Sequence, residues 1–442
     1  MCSGPIVGRL LLFTVPLILS SVLQLLFNAA DVVVVGKYAG DNSLAAVGSV
    51  VPLVNLLISA FMGLSIGSNV LASRYRGSRD DSSLSRTVHT SMLVSAISGM
   101  ILTVIGVIFA EPILILMNSP VETLPLASLY LRIYFVGMPA SMVYNFGSAI
   151  LRAVGDTKRP MYYLTAAGIV NVILNLLFVI RFRMDVAGVG IATVISQIIS
   201  AALVVRCLMG EEGALRFDPR KLGIDKDILI RITRIGLPAS FQGMLFSLSN
   251  VIIQSSVNGF GATVVAGNSA AMNIEGFIYV SMNAFYQACI SFVSANVGAR
   301  RHERINKIVI RSEACVIVTG MLLGGLAYMF GSELLSIYTD SDAVIRAGLI
   351  RMLYICLPYF LCGMMDVMVG GLRGLGYAVL PMIVSLVGAC GLRLLWIFTL
   401  FRLPRFHETR YLYITYPVSW TVTFLAHVIC YIAVKKKFDR EH

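Results

Sequence analysis

The chain has 442 residues, of which only 13% are charged while 57% are hydrophobic. Charge at about half the ~25% of an ordinary soluble protein leaves too little polar surface to cover the chain in water. A formal net charge of +12 is scattered over short segments that face anionic head groups, so it describes membrane topology and not a nucleic-acid partner.

Apolar runs of about 20 residues, enough to cross a ~30 Å hydrocarbon core, recur along the whole chain. In order they fall near 10–35, 44–66, 88–109, 129–151, 161–181, 188–209, 231–257, 263–290, 309–331, 346–372, 379–401 and 412–434. Twelve transmembrane helices are predicted, because backbone groups in lipid must be satisfied within each segment and the ~10-residue alternation of barrel strands is missing. The first run follows Arg9, but it exceeds a ~7–15-residue signal core and reads as a retained span.

Lys and Arg set the orientation. With a cytoplasmic N-terminus, most of the 35 basic residues fall on inner segments, among them Arg74, Arg76, Arg79 and Arg86, the run from Arg216 to Arg234, Arg300 to Arg311, and Lys435 to Lys437. Arg351 falls on an outer segment, Arg373 on an inner one, and Arg393 alone lies deep in a span. Both termini are thus expected in the cytoplasm. The eight cysteines lie mostly inside spans and read as small packing residues. The five histidines are isolated, and no metal cluster can be assembled from sequence neighbours.

The two halves repeat. "VPLILSSVLQLLFN" (15–28) resembles "LPASFQGMLFSLSN" (237–250), pairing Pro16 with Pro238 and Asn28 with Asn250 at an offset of 222. "LRAVGDTKRPM" (151–161) answers "LRGLGYAVLPM" (372–382) at 221, and Gly77 answers Gly298 at 221. Six helices per copy return the chain to its starting side, so the fold class is all-α integral membrane protein with two parallel six-helix repeats. The expected division is an N-lobe over 1–209, a polar cytoplasmic linker over 210–230 ("GEEGALRFDPRKLGIDKD" at its centre) and a C-lobe over 231–442.

No "HExxH", nucleophile motif or Walker "GxxxxGK[ST]" occurs, which disfavours an enzyme or an ATP-driven pump. "GVGIAT" near 188 lacks a preceding soluble strand and reads as close helix packing. A passive channel stays open as an alternative.

Polar groups inside the spans are the candidate functional residues. Asp31 sits in "LFNAADVVVVG" (26–36) with apolar neighbours on both sides. A carboxylate there costs roughly 2.5–3.5 kcal/mol on the insertion scale and needs a partner inside the protein. The plainer alternative is that Asp31 reaches water near the end of its helix, where the dipole opposes an anion. Asp366 in "GMMDVMVGG" is mid-span and matches Asn145 of "VYNFGSAIL" at 221, while Glu275 in "MNIEGF" is similarly enclosed. Both acids could attract a cationic substrate in a cavity, or either could pair with Arg393. Gln242 and Asn145 complete a tentative substrate set with them.

"LLLFTVPLILSSVLQLLFNAADVVVVGKYAG", "LYLRIYFVGMP", "ILRAVGDTKRPMY", "GVGIATVISQ" and "LPYFLCGMMDVMVGGLRGLG" together closely resemble multidrug and toxic compound extrusion (MATE) transporters over essentially the whole chain. The bacterial DinF-like branch is nearest, because the seventh helix, "GLPASFQGMLFSLSNVII", carries Gln242 and no acid. The resemblance implies a multi-pass protein of the bacterial inner membrane, monomeric, with no cofactor. It also implies export of amphipathic, often cationic, compounds driven by H⁺ or Na⁺. A lipid-linked oligosaccharide flippase of the wider superfamily is the rival; it should present basic residues in its cavity. The resemblance further implies that the first-helix Asp works with polar groups of helices five and six. Here these are Asn171 and Asn175 of "NVILN" and Thr193. Asn175 stands where the family often has Asp, so only one formal charge remains and Na⁺ is less favoured. For the two Asn, ordinary interhelical hydrogen bonding is the alternative. Pro16 matches the position where the family bends its first helix.

Overall fold

The computed structural model describes residues 1–116 and 121–441. Nearly all of these are helical, with no strand among the described residues. Ten helical stretches are long and apolar enough to cross a bilayer, and two bent helix pairs bring the number to twelve.

The first half holds α1 (Ile6–Tyr38), α2 (Asp41–Ser78), α3 (Asp81–Leu116), the pair α4 (Leu124–Val136) and α5 (Met138–Ala153), α6 (Lys158–Leu176) and α7 (Asp185–Met209). A π-helical turn, Leu177–Arg181, extends α6. The second half repeats this order, with most boundaries moved on by about 220 residues: α8 (Lys226–Asn258), α9 (Ala262–Gly298), α10 (His302–Met329) with the short α11 (Gly331–Ser336), and the pair α12 (Asp342–Ile355) and α13 (Phe360–Leu375). The eleventh span is interrupted, running α14 (Val379–Ser385), a π-helical segment Leu386–Gly391 and α15 (Leu392–Phe398). Finally α16 (Thr409–Tyr413) leads into α17 (Thr415–Glu441).

Three expectations need correction. The fourth and tenth spans, read as single helices over 129–151 and 346–372, are each broken, with bends of 46° and 43°. Pro139 and Pro358 lie at these breaks, where a missing N–H and a ring clash interrupt the helical ladder. The linker ends earlier than 230, because α8 already begins at Lys226. It also docks: the Asp218 N–H donates to His89 Nε2 at 3.1 Å and the Asp225 N–H to Thr90 Oγ1 at 3.1 Å. The Ile228 N–H, followed by the Arg86 guanidinium, holds the Asp225 carboxyl below its ordinary range.

The compact units also divide differently from the expected lobes. One consists of Leu19–Ser240, the other of Met1–Ile18 with Phe241–His442. Both breakpoints fall two residues after a proline inside a 33-residue helix, Pro16 in α1 and Pro238 in α8. Neither proline breaks its helix, yet each removes one rung of the hydrogen-bond ladder where the chain changes unit.

Within the Leu19–Ser240 unit, Leu102, Phe135, Met138, Met142 and Phe146 form a fully buried core shared by α3, α4 and α5. Within the other unit, Phe292 of α9 meets Phe13 edge-on at 5.5 Å, and Met282, Val316, Val367 and Met368 continue that core.

Candidate functional site

In the Leu19–Ser240 unit the four polar residues expected to act together are joined. One helical turn separates Asn171 from Asn175 on α6, so both present to the same face, and they are 5% and 0% exposed. Asn175 Nδ2 donates to the Asp31 carboxylate and also approaches Asn171 Oδ1 at 3.3 Å. Asn171 Nδ2 donates in turn to Thr193 Oγ1 of α7 at 3.5 Å, and that hydroxyl donates to the Val189 carbonyl at 2.9 Å. A continuous polar chain thus runs from α1 through α6 to α7.

Two features explain why the elements can meet there. A Cβ at Gly168 would lie 1.9 Å from the Phe27 ring, so only glycine lets α1 approach α6 one turn before Asp31. The π-helical turn starts two residues after Asn175, and such turns loosen the regular ladder, often at functional sites. Sequence reasoning missed that turn. It also missed Tyr130 and Tyr134 of α4, which lie within electrostatic range of Asp31.

Carboxylate and amide oxygens converge in this arrangement. Asn175 Oδ1 is buried without a partner, so the site offers an uncommitted amide oxygen beside a carboxylate. No basic residue pairs with Asp31 among the ion pairs of the described residues. With one formal charge and amide oxygens, the set suits a proton or a monovalent cation better than a divalent one.

Within the unit that holds Phe241–His442, the tentative substrate residues Glu275 and Gln242 belong to separate hydrogen-bond networks. Glu275 is 5% exposed and accepts from Arg351 Nε and Nη2 at 2.7 Å each, a bidentate pair that answers its charge. Arg351 Nη1 donates to Asn268 Oδ1 at 2.7 Å, and the Tyr413 hydroxyl joins the same oxygen at 3.2 Å. Gln242 accepts from Arg373 Nη2 at 2.9 Å, while Arg373 Nη1 donates to the Tyr286 hydroxyl. Asp366 lies within electrostatic reach of Arg373. Asn145 belongs to the other unit, where its amide donates to the Ser141 carbonyl at 2.8 Å.

Arg393 therefore pairs with neither Glu275 nor Asp366. Its Nε donates to Ser419 Oγ at 2.8 Å, and its guanidinium lies over the Tyr416 and Trp420 rings at 4.2 and 5.5 Å. Arg351 and Arg373, placed on an outer and an inner segment by the sequence, are likewise buried within helices, each 4% exposed.

Comparison with known proteins agrees with this architecture. The MatE family model matches twice, over residues 16–177 and 238–399, well over half of the chain and in the two repeats. The probable multidrug resistance protein YoeA of Bacillus subtilis is 29% identical over 98% of this chain and 96% of its own. A protein of Shewanella oneidensis named FAD transporter is 25% identical, covering 78% of this chain and 77% of its own. A solved MOP superfamily transporter from Pyrococcus furiosus, described as having a binding pocket of reverse polarity that suggests a different function, superposes with a TM-score of 0.90. It is 20% identical, covering 98% of this chain and 96% of its own. Two matches to the family model, one in each repeat of the chain, and a relative that aligns over nearly its whole length leave one conclusion: the chain belongs to the MATE family of multi-pass membrane transporters.

Proposed function

We propose that this transporter is a monomeric, cation-coupled antiporter of the bacterial inner membrane. It exports amphipathic organic compounds by alternating access, and Asp31 takes up and releases the coupling cation. The observation that carries the reading is the hydrogen-bonded chain Asp31–Asn175–Asn171–Thr193, a lone carboxylate held by amides in the membrane interior. An ionised carboxylate is expensive there unless something neutralises it. No basic side chain among the described residues forms an ion pair with it, so a mobile cation is the natural partner. A bare Na⁺ ion needs several oxygen ligands, and one carboxylate with one uncommitted amide oxygen supplies few, which favours the proton.

The test is export from proteoliposomes under separately imposed H⁺ and Na⁺ gradients. Asp31→Asn keeps the side-chain volume and removes the titrating group. It should leave folding intact and lower gradient-driven export at least tenfold; export at the parent rate would remove Asp31 from the coupling step. Asn175→Asp adds a second carboxylate beside the first and should increase dependence on Na⁺.

Two observations bear on substrate charge. Asp366 can attract a cationic compound, in keeping with the multidrug names of relatives, whereas the charge of Glu275 is already answered by Arg351. Arg393 favours a second reading, because it lies over two rings with no acid within ion-pair distance among the described residues. An anionic group on a planar substrate would complete it, and one relative carries the name FAD transporter. Parallel export assays with a cationic dye and with a flavin nucleotide separate the two. Loss confined to the dye in Asp366→Asn supports the first, and loss confined to the nucleotide in Arg393→Gln supports the second.

A further inference from the structure

Glu313 of α10 has a surrounding unlike that of any other acid among the described residues. Both of its carboxylate oxygens are buried, and neither has a hydrogen-bond partner. It lies eleven residues into a 28-residue helix, about 16 Å along the axis at 1.5 Å per residue.

The packing of α10 on α13 shows what stands opposite. A Cβ on Gly320 would lie 2.8 Å from Phe360, one on Gly363 would lie 2.6 Å from Val316, and one on Gly371 would lie 3.1 Å from Val309. These contacts define one antiparallel register. Glu313 is three residues before Val316 and Asp366 three after Gly363, so the register sets the two acids level with each other. Electrostatic coupling between them agrees with that placement.

We propose that Glu313 and Asp366 form an acid pair that holds one proton inside the unit containing α10 and α13, a proton-binding site additional to Asp31. Two carboxylates at one level of the helix packing do not both stay ionised, because both Glu313 oxygens are cut off from water and from any hydrogen-bond partner. The surrounding charges make the count definite. From α13 itself Arg373 and Cys362 face Asp366, and from α9 Tyr279 and Tyr286 do so. Cys289 of α9 faces Glu313. On α17, His427 faces Arg373 and Tyr431 faces Cys289. Arg393 of α15 faces Cys362 and neither acid, so Arg373 is the permanent cation that acts on the pair among the described residues, and it can balance one carboxylate. The remaining negative charge requires a proton. The pair goes beyond the Asp31 reading and rests on it only for the part such a proton would play in export.

Infrared difference spectra of the full-length protein in nanodiscs, recorded on a pH step, test the pair without any transport. The parent should show carboxyl carbonyl bands from protonated acids in apolar surroundings. Asp31→Asn should remove one band and leave another. Glu313→Gln should remove the surviving band, and Asp366→Asn should shift or remove it. Glu313→Asp should restore a band at a moved frequency, which a purely structural role would not produce. If Glu313→Gln and Asp366→Asn both leave the carboxyl region as in the parent, or if Asp31→Asn removes every such band, the proposal is overturned. Loss of ion-dependent export with these bands intact would instead count against the antiport reading alone. Thermal unfolding controls for folding: Glu313→Gln removes an orphaned carboxylate and should unfold at or above the parent midpoint. A lower midpoint would assign Glu313 a structural role and also overturn the pair.

Discussion

Arg351 uses its guanidinium fork fully, with two bonds to Glu275 and one to Asn268, and it lies near the Tyr413 and Tyr416 rings at 5.4 and 5.7 Å. Such a network is sensitive to loss of one member, because the partner is left charged and buried. Glu275→Gln should therefore destabilise the fold by about 3–5 kcal/mol, read as a lower midpoint of thermal unfolding in detergent. Replacing Glu275 and Arg351 together by Leu and Met should recover much of that loss, which a role of Glu275 in substrate binding would not explain. The sequence displayed Glu275 but not its partner. Arg351 lies 76 residues away, beyond a run whose charges read as an outer segment. The Asp31 cluster was more legible, since an acid in a Val-rich run and two Asn residues one turn apart are both local patterns. Glu313 was not noticed, because the adjoining "RINKIVIRSEAC" (304–315) reads as a basic helix end and gives no sign that the carboxylate turns inward.

At the level of helices, close approach decides which glycines matter. On α10 two neighbours make the contrast. A Cβ on Gly324 would lie 2.1 Å from the Cys356 carbonyl oxygen, whereas one on Gly325 meets nothing within 4 Å. Gly324→Ala must push α10 away from backbone that cannot yield, an overpacking cost of about 1–3 kcal/mol. Gly325→Ala should instead be neutral or stabilise by up to about 1 kcal/mol, by raising helix propensity. Unfolding midpoints of the two variants, compared with the parent, check the opposite signs; a fall of equal size in both would contradict the packing described. Hydropathy revealed the existence of these helices but not their breaks. Pro139 and Pro358 sit within apolar runs that look continuous by composition. The π-helical segments, LFVIR and LVGACG, share no residue pattern, and both are as apolar as the helices around them.

For the whole molecule, duplication and charge bias together specify topology. Six spans in each repeat return the chain to its starting side, and the basic segments at 74–86, 216–234, 300–311 and 435–437 then all fall on one face, as the positive-inside rule requires. The offset of 222 between Pro16 and Pro238 reappears in the two stretches matched by the family model and in the two points where the chain passes between compact units. The repeat was therefore readable as a spacing. The passage between units within α1 and α8 was not, because helix continuity hides it. The two ends of α8 give the decisive measurement, since a single 33-residue helix of about 50 Å must place them on opposite sides of the membrane. Glu212→Cys, in the linker before α8, should react with a membrane-impermeant maleimide only in inverted vesicles. Gly259→Cys, just beyond its other end, should react only in intact cells, each judged against the parent chain. Reaction of Glu212→Cys from outside would reverse the orientation, and reaction of both from one side would break the six-plus-six arrangement. Opposite sidedness would place the docked linker and its Arg86–Asp225 ion pair in the cytoplasm, with Asp31, three turns or more beyond Pro16, towards the outer half of α1.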